Sequence, residues 1–271
     1  MTRDELNEAS CLGGCLRSVT PEGAEVYVLP QGSSPEEIGN ILGRLGSLRR
    51  PSAGPGVDVL KQARQRFVAR VPCAGGSVIV KVFPLRSPLS WLRWRKYAWA
   101  EFRNQCQARE RDCPVPRPLA FFLLRRFGFV VSSGLIMEDL HDWKDLRQLA
   151  SGPGDALSAA GFATEPLRRL VSTGCFHVDA RDENILISPD RSRFAIIDWQ
   201  YASFPDANQP WMMEHLAAYY LRKSDPTVRR LLLESWVSGL AKEEPGLFVE
   251  RVKSLLASRP STRARLAVRP V

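Results

Sequence analysis

The sequence predicts an α+β protein in two lobes, a small β-rich lobe with one main helix followed by a mostly helical lobe. Three observations carry this. Residues 57–61, 66–71 and 77–83 are apolar runs of strand length, the last two joined by a turn at Ala74, Gly75 and Gly76. Beyond residue 156 the apolar spacing becomes helical and returns over 211–222, 226–241 and 245–257. Between these regions, residues 176–199 read FHVDARDENILISPDRSRFAIIDW, a polar loop leading into two apolar runs, 185–187 and 194–197, joined by a polar turn as in a β-hairpin. With 271 residues and 44% hydrophobic composition, the chain can fill a sizeable core.

Residues 1–56 are expected to form an accessory region ending in a linker. A short strand is expected at 25–29. Ser34-Pro35-Glu36-Glu37 is a capping box with proline at the first helical position, opening a helix to about residue 45. The stretch 49–56, RRPSAGPG, breaks regular structure. Residues 57–257 form the main domain, with a small lobe to 138 and a large lobe from 139. Lys81 sits in its third strand, VIVKVF, and Glu101 lies twenty residues on in a helical stretch over 97–111. The 62–66 loop between the first two strands has no glycine, so no backbone cradle for phosphate is expected there. Arg64 and Arg66 could meet an anion through their side chains or simply be solvated.

Between Arg86 and Arg126 ten Lys/Arg stand against three Asp/Glu. At the front of this block, 91–99 reads WLRWRKYAW, aromatic rings interleaved with cations. That mixture suits an anionic membrane surface or a nucleic acid, and equally a helix that buries its tryptophans and solvates its cations. Cys113-Pro-Val-Pro-Arg-Pro118 ends the preceding helix. Strands are expected at 119–124 and 127–131. The run 134–140, GLIMEDL, follows, where Glu138 to Leu140 offer backbone groups to a planar ring. Helices are expected at 143–150 and 156–173. The tail 258–271 has four arginines and no acid and is expected to be disordered.

The net charge of +9 points to an anionic partner. Six cysteines without a C-x-x-C pair, and three histidines, read as reduced thiols in a cytosolic protein and not as a zinc site. The start, MTRDELNEAS, lacks the apolar core of a signal peptide, and no apolar run reaches the ~20 residues of a membrane span.

The 176–199 unit carries the chemistry. Phosphoryl transfer needs a carboxylate to orient and deprotonate an attacking hydroxyl, and oxygen ligands for Mg²⁺ beside the nucleotide phosphates. Asp179 suits the first role; Asn184 and Asp198 suit the second, because Mg²⁺ takes few, hard oxygen donors from protein. His177 is assigned to holding the turn. The spacing His-x-Asp-x-x-x-x-Asn, a hairpin, then Asp matches the catalytic core of kinase-like enzymes.

Residues 57–240 resemble the lipopolysaccharide kinase family, the Kdo and heptose kinases of the inner core, within the protein-kinase-like superfamily. The resemblance rests on VIVK81, RWRK, AE101FRN, PVPRPLA, LIME138DL, HVD179ARDEN184ILI and IID198W. It implies a two-lobed kinase-like fold, with ATP and Mg²⁺ used to phosphorylate a sugar hydroxyl of a lipid-linked core oligosaccharide. Its place would be the cytoplasmic face of the bacterial inner membrane, with the 91–99 block on the anionic surface and no nucleic-acid partner. By position, Lys81 would contact phosphate and Glu101 anchor it. Asp179 would be the base, Asn184 and Asp198 the metal ligands, and Arg181 would neutralise the transferred phosphoryl group. Asp198-Trp199-Gln200 departs from Asp-Phe-Gly, and no Ala-Pro-Glu follows, which favours a small or lipid-linked acceptor over a protein. A phosphotransferase of the aminoglycoside or choline kinase type is the alternative enzyme, although a basic chain suits a cationic acceptor poorly. A non-catalytic kinase-like membrane regulator would be expected to lack Asp179, Asn184 or Asp198, and all three are present.

Overall fold

A computed structural model describes residues 14–30, 33–150, 155–222, 226–240 and 245–258. The chain divides into two compact units, Met1–Cys106 with Pro116–His141, and Gln107–Val115 with Asp142–Val271. The class is α+β, as expected.

The first unit is built on β1 (Leu16–Val19), β2 (Ala24–Val28), α1 (Pro35–Gly43), β3 (Asp58–Ala63), β4 (Arg66–Cys73), β5 (Gly76–Pro84), α2 (Pro88–Leu92), α3 (Ala98–Glu110), β6 (Pro118–Arg126) and β7 (Phe129–Glu138). Its strands form one antiparallel sheet in the order β1-β2-β6-β7-β5-β4-β3. Alternation along each strand sorts side chains onto two faces. Val26, Val80 and Ile136 pack with Ile38, Ile41 and Leu42 of α1 on one face. Phe83, Phe121 and Leu135 pack with Trp94, Trp99 and Phe102 on the other. Lys81 is two residues from Phe83, so the period of two directs it to the face that α3 covers. Gly134 lets β7 pass close by: a Cβ there would come within 2.1 Å of Phe122 Cζ and 2.5 Å of the Lys81 carbonyl oxygen.

Several expectations change here. The 1–56 stretch, expected to be accessory, contributes β1, β2 and α1 to this sheet and core; Val26 pairs with Phe122. Ser34 caps α1, its Oγ accepting from the Glu37 N–H at 3.1 Å, which is the N-cap half of the expected capping box. The 62–66 loop is mostly strand: Gln62 pairs with Phe67 and Ala63 with Arg66, leaving Arg64 and Gln65 as the turn. One strand, β7, replaces the expected break between 131 and 134, because Gly134 serves close approach and not a turn. The WLRWRKYAW block is not one helix. It spans the end of α2, a 3-10 turn over Trp94–Lys96 and the start of α3, and Trp94 and Trp99 are buried among Phe102 and Phe121.

In the second unit follow β8 (Lys144–Asp145), α4 (Leu146–Leu149), α5 (Asp155–Ser172), β9 (Phe176–His177), β10 (Ile185–Ile187), β11 (Phe194–Ile196), β12 (Ala202–Ser203), α6 (Pro210–Leu221), α7 (Pro226–Leu240) and α8 (Pro245–Ala257). The helix expected over 143–150 shrinks to one turn. Lys144 and Asp145 pair with Ile187 and Leu186 of β10, and the Asp145 carboxylate then caps α4 by accepting from the Gln148 N–H at 2.7 Å. The hairpin forms as read, with Ile185 opposite Ile196 and Ile187 opposite Phe194. Trp199, Phe176, Leu170, Leu216, Trp236 and Phe248 fill the core beneath it. Cys113 and Cys175 are buried as free thiols in contact, and that contact together with burial raises the Cys113 thiol. Among the described residues no helix is long and apolar enough to cross a membrane. Residues 259–271 of the tail lie outside the described residues.

Candidate active site

Each unit carries its own set of the residues singled out by the sequence. In the first, β5 presents Lys81 to α3, where its ammonium pairs with the Glu101 carboxylate. Both side chains are buried, at 9% and 1% exposure. Such a pair survives burial only when charge and hydrogen bonding are both satisfied, so its presence inside an apolar face is a costly feature for a sheet to maintain.

Glu138 ends β7. Its N–H donates to the Arg117 carbonyl at 2.9 Å and its carboxylate accepts from the Arg117 N–H at 3.0 Å, which leaves its own carbonyl as the backbone group to offer. Next to it, Asp139 accepts from Arg70 Nε at 2.6 Å and from Ser77 Oγ at 2.5 Å. Those bonds pin the strand exit on which Leu140 sits, half-buried. The sequence reading passed over Arg70 and Ser77, which lie 69 and 62 positions from Asp139 and carry no local signal. Arg64 is exposed at the β3–β4 turn, whereas the Arg66 guanidinium lies over the Phe83 ring, 5.2 Å from its centre.

The second unit assembles the loop residues. His177 is fully buried and bridges the loop: the Asp179 N–H donates to its Nδ1 at 3.2 Å, and its Nε2 meets the Ile197 carbonyl at 3.2 Å. An accepting Nδ1 leaves the proton on Nε2, donated to Ile197. Burial pushes the imidazole down, against the pull of Asp179 and Asp198, so the ring is neutral and acts as a brace. It stacks edge-on against Trp199, with 4.8 Å between ring centres, which explains a tryptophan after Asp198.

Asn184 closes the loop. Its Nδ2 donates to the Asp179 carbonyl at 2.8 Å and to Asp179 Oδ2 at 3.2 Å, while its own carbonyl accepts from the Ile197 N–H at 3.0 Å. Asn184 therefore touches both Asp179 and the residue before Asp198. With the amide nitrogen engaged, its Oδ1 is the atom suited to a cation. Asp198 has φ 67° and ψ 54°, a left-handed backbone that a non-glycine residue holds at a cost and that recurs at functional positions. One amide oxygen and one carboxylate are a donor set that fits Mg²⁺ completed by phosphate and water.

Arg181 Nε lies 3.2 Å from Asp179 Oδ1, and its Nη2 lies 3.3 Å from Glu183 Oε2. Glu183 in turn pairs with Arg147, whose Nε reaches Asp182 Oδ2 at 3.4 Å. Sequence reasoning missed Glu183 and Arg147, although Glu183 was legible as the acid two residues beyond Arg181. Together these groups can orient a hydroxyl at Asp179, take its proton and present positive charge beside it.

The profile of the lipopolysaccharide kinase (Kdo/WaaP) family matches residues 85–231. A curated 3-deoxy-D-manno-octulosonic acid kinase from Stenotrophomonas maltophilia (strain R551-3) is 34% identical over 94 residues, a stretch covering 34% of this chain and 36% of that protein's length. Among solved structures, one described as WaaP in complex with acyl carrier protein is 16% identical, covers 74% of this chain and 84% of its own, and has a TM-score of 0.49. A vaccinia related kinase 3 structure is 9% identical, covers 97% of this chain and 93% of its own, and has a TM-score of 0.41.

Proposed function

The chain belongs to the lipopolysaccharide kinase (Kdo/WaaP) family, and we propose that it transfers the γ-phosphate of ATP to a sugar hydroxyl of the lipopolysaccharide inner core. Kdo is the favoured sugar, since the curated relative acts on 3-deoxy-D-manno-octulosonic acid, with heptose as the other candidate. The observation that carries this reading is Asn184, whose side-chain amide bonds Asp179 and whose main-chain carbonyl accepts from Ile197, the residue before Asp198.

In this reading the acceptor hydroxyl hydrogen-bonds Asp179, which takes its proton as the oxygen–phosphorus bond forms and ADP leaves; Arg181, 3.2 Å from the carboxylate, offsets charge on the moving phosphoryl group. Asn184 Oδ1 and the Asp198 carboxylate would hold Mg²⁺, which neutralises phosphate charge when bound. Lys81, held by Glu101, would contact the ATP phosphates, and Arg64 would add charge from its turn. Arg66, whose guanidinium covers Phe83, would assist by lining that turn. The Glu138 carbonyl and the Leu140 N–H would meet adenine. A lipid-linked acceptor places the reaction at the cytoplasmic face of a bacterial inner membrane.

The test is transfer of labelled γ-phosphate from ATP into inner-core acceptor, with Asp179→Asn as control. Label in the acceptor with the wild type alone supports the reading. Equal incorporation by both proteins removes Asp179 as the base, and ATP binding without transfer to any Kdo or heptose acceptor removes the substrate class.

A further inference from the structure

Besides Leu16, Val19 and Leu60 on the edge strands β1 and β3, the described residues of the first unit expose four large apolar side chains on α2 and at the β6–β7 turn. On α2, Leu89 and Leu92 are 56% and 72% exposed and, three residues apart, share a helix face. At the β6–β7 turn, Phe127 and Phe129 are 88% and 48% exposed. Trp91 joins the two pieces into one surface: its ring centre lies 5.8 Å from that of Phe129, and its Nε1–H donates to the Leu85 carbonyl at 2.6 Å. Phe127 also has φ 50°, a left-handed conformation in which an aromatic residue is strained and asparagine or glycine is usual. A strained phenylalanine held out in water does nothing for the core.

Beside this ridge, Leu89 forms part of the wall of a pocket of about 280 Å³ that Arg64, Arg86 and Arg93 line together with Ser87, Ser90 and Tyr97, and no carboxylate lines it. The segments 84–97 and 121–133 that build the rim contain six Lys/Arg and no Asp/Glu. Apolar side chains projecting among cations, next to an arginine-lined hollow, have the chemistry of an interface with anionic lipid, where the hydrocarbons enter the acyl boundary and guanidinium groups meet phosphate. Stacking with nucleic acid fits less well, because Trp94 and Trp99 of the same region are buried and two of the four exposed groups are leucines.

We propose that this rim is an anionic-bilayer docking site, with Leu89, Leu92, Phe127 and Phe129 inserted at the interface and Arg86 and Arg93, on the wall of the pocket, holding a lipid phosphate. It deepens the reading above, in which the acceptor is lipid-linked, and it narrows the contact expected of the 91–99 block to Leu92 and Arg93 while adding Arg86, Leu89, Phe127 and Phe129 from outside it. Its test does not pass through catalysis.

The full chain is sedimented with vesicles of phosphatidylcholine alone or of phosphatidylcholine and phosphatidylglycerol in equal parts, without ATP. Binding is expected only to the anionic vesicles. Leu92→Ser with Phe127→Ser, and separately Arg86→Gln with Arg93→Gln, should each weaken it about ten-fold, while the thermal midpoint and transfer to a water-soluble acceptor stay at wild-type values. Undiminished binding by both pairs of variants overturns the site. So does displacement from the rim by single-stranded DNA at lower concentration than by lipid, or a dimer in sedimentation velocity that the variants abolish. Failure of transfer with intact vesicle binding would count against the kinase reading and leave the docking site standing.

Discussion

Truncating Glu101 to alanine should cost far more stability than removing one surface acid. The Glu101 carboxylate is 1% exposed and the Lys81 side chain 9%, so the variant leaves an ammonium group buried in the face packed by Phe83, Phe102 and Phe121. Breaking a buried pair from one side costs about 3–5 kcal/mol, against at most about 1 kcal/mol for an exposed pair. At about 2–4 °C per kcal/mol for a protein of this size, the midpoint of thermal unfolding should drop by roughly 6–20 °C. Replacing both partners with apolar groups, Lys81→Met with Glu101→Leu, removes the buried ammonium and should recover most of that loss. Phosphoryl transfer should fail in the double variant even where stability returns, which separates the role of the pair from its effect on folding. Differential scanning fluorimetry and initial-rate assays on the wild type, the Glu101→Ala protein and the double variant give both readouts. A Glu101→Ala midpoint within 2 °C of wild type, or a double variant no more stable than the single one, would refute the buried-pair reasoning.

Other consequences follow from single contacts. Gly134→Ala should destabilise by about 1–3 kcal/mol in urea unfolding, because the new Cβ meets Phe122 Cζ at 2.1 Å and the Lys81 carbonyl oxygen at 2.5 Å, and wild-type stability would show that β7 can shift freely. Arg111 donates to the carbonyls of Gly174 at 3.0 Å, Pro205 at 2.7 Å and Phe204 at 3.2 Å. Arg111→Ala should therefore cost about 2–4 kcal/mol and speed amide exchange around Ala202–Ser203, with lysine restoring little, and unchanged exchange would contradict the clamp. His177 and His215 are both pushed down by burial. Their unfolded forms take up protons first, so the stability they contribute is fully present above pH ~6.5 and is lost as pH falls toward the folded values, at up to about 1.4 kcal/mol per pH unit for each ring. A thermal midpoint that does not fall between pH 7.5 and 5.5 would contradict this.

Local pattern made much of the molecule legible. The hairpin after the loop, the N-cap at Ser34 and the Lys81 strand are signals within a few residues of one another, and they reappear at nearly the expected bounds. Order within 176–199 was enough to single out Asp179, Asn184 and Asp198, because a loop that returns on itself encodes its contacts locally. What stayed hidden depends on distant partners. The short runs 16–19 and 24–28 carry no mark of which strand they pair with, so their place beside β6 emerges only in the sheet. Trp94 and Trp99 read equally as interfacial or as core until Phe121 packs against both. Arg111 and Asp139 act through residues sixty or more positions away, which no spacing rule reaches. Gly134 reads in sequence only as the start of the 134–140 run and serves as a point of close approach in the sheet.

The most direct measurement of the central claim is phosphorus NMR of purified inner-core acceptor after incubation with the protein, ATP and Mg²⁺. The account predicts a new phosphomonoester signal coupled to a proton of a Kdo or heptose ring, formed in step with ADP and absent with Asp179→Asn. ADP released with no new sugar phosphate, or the same signal from the Asp179→Asn protein, would contradict it.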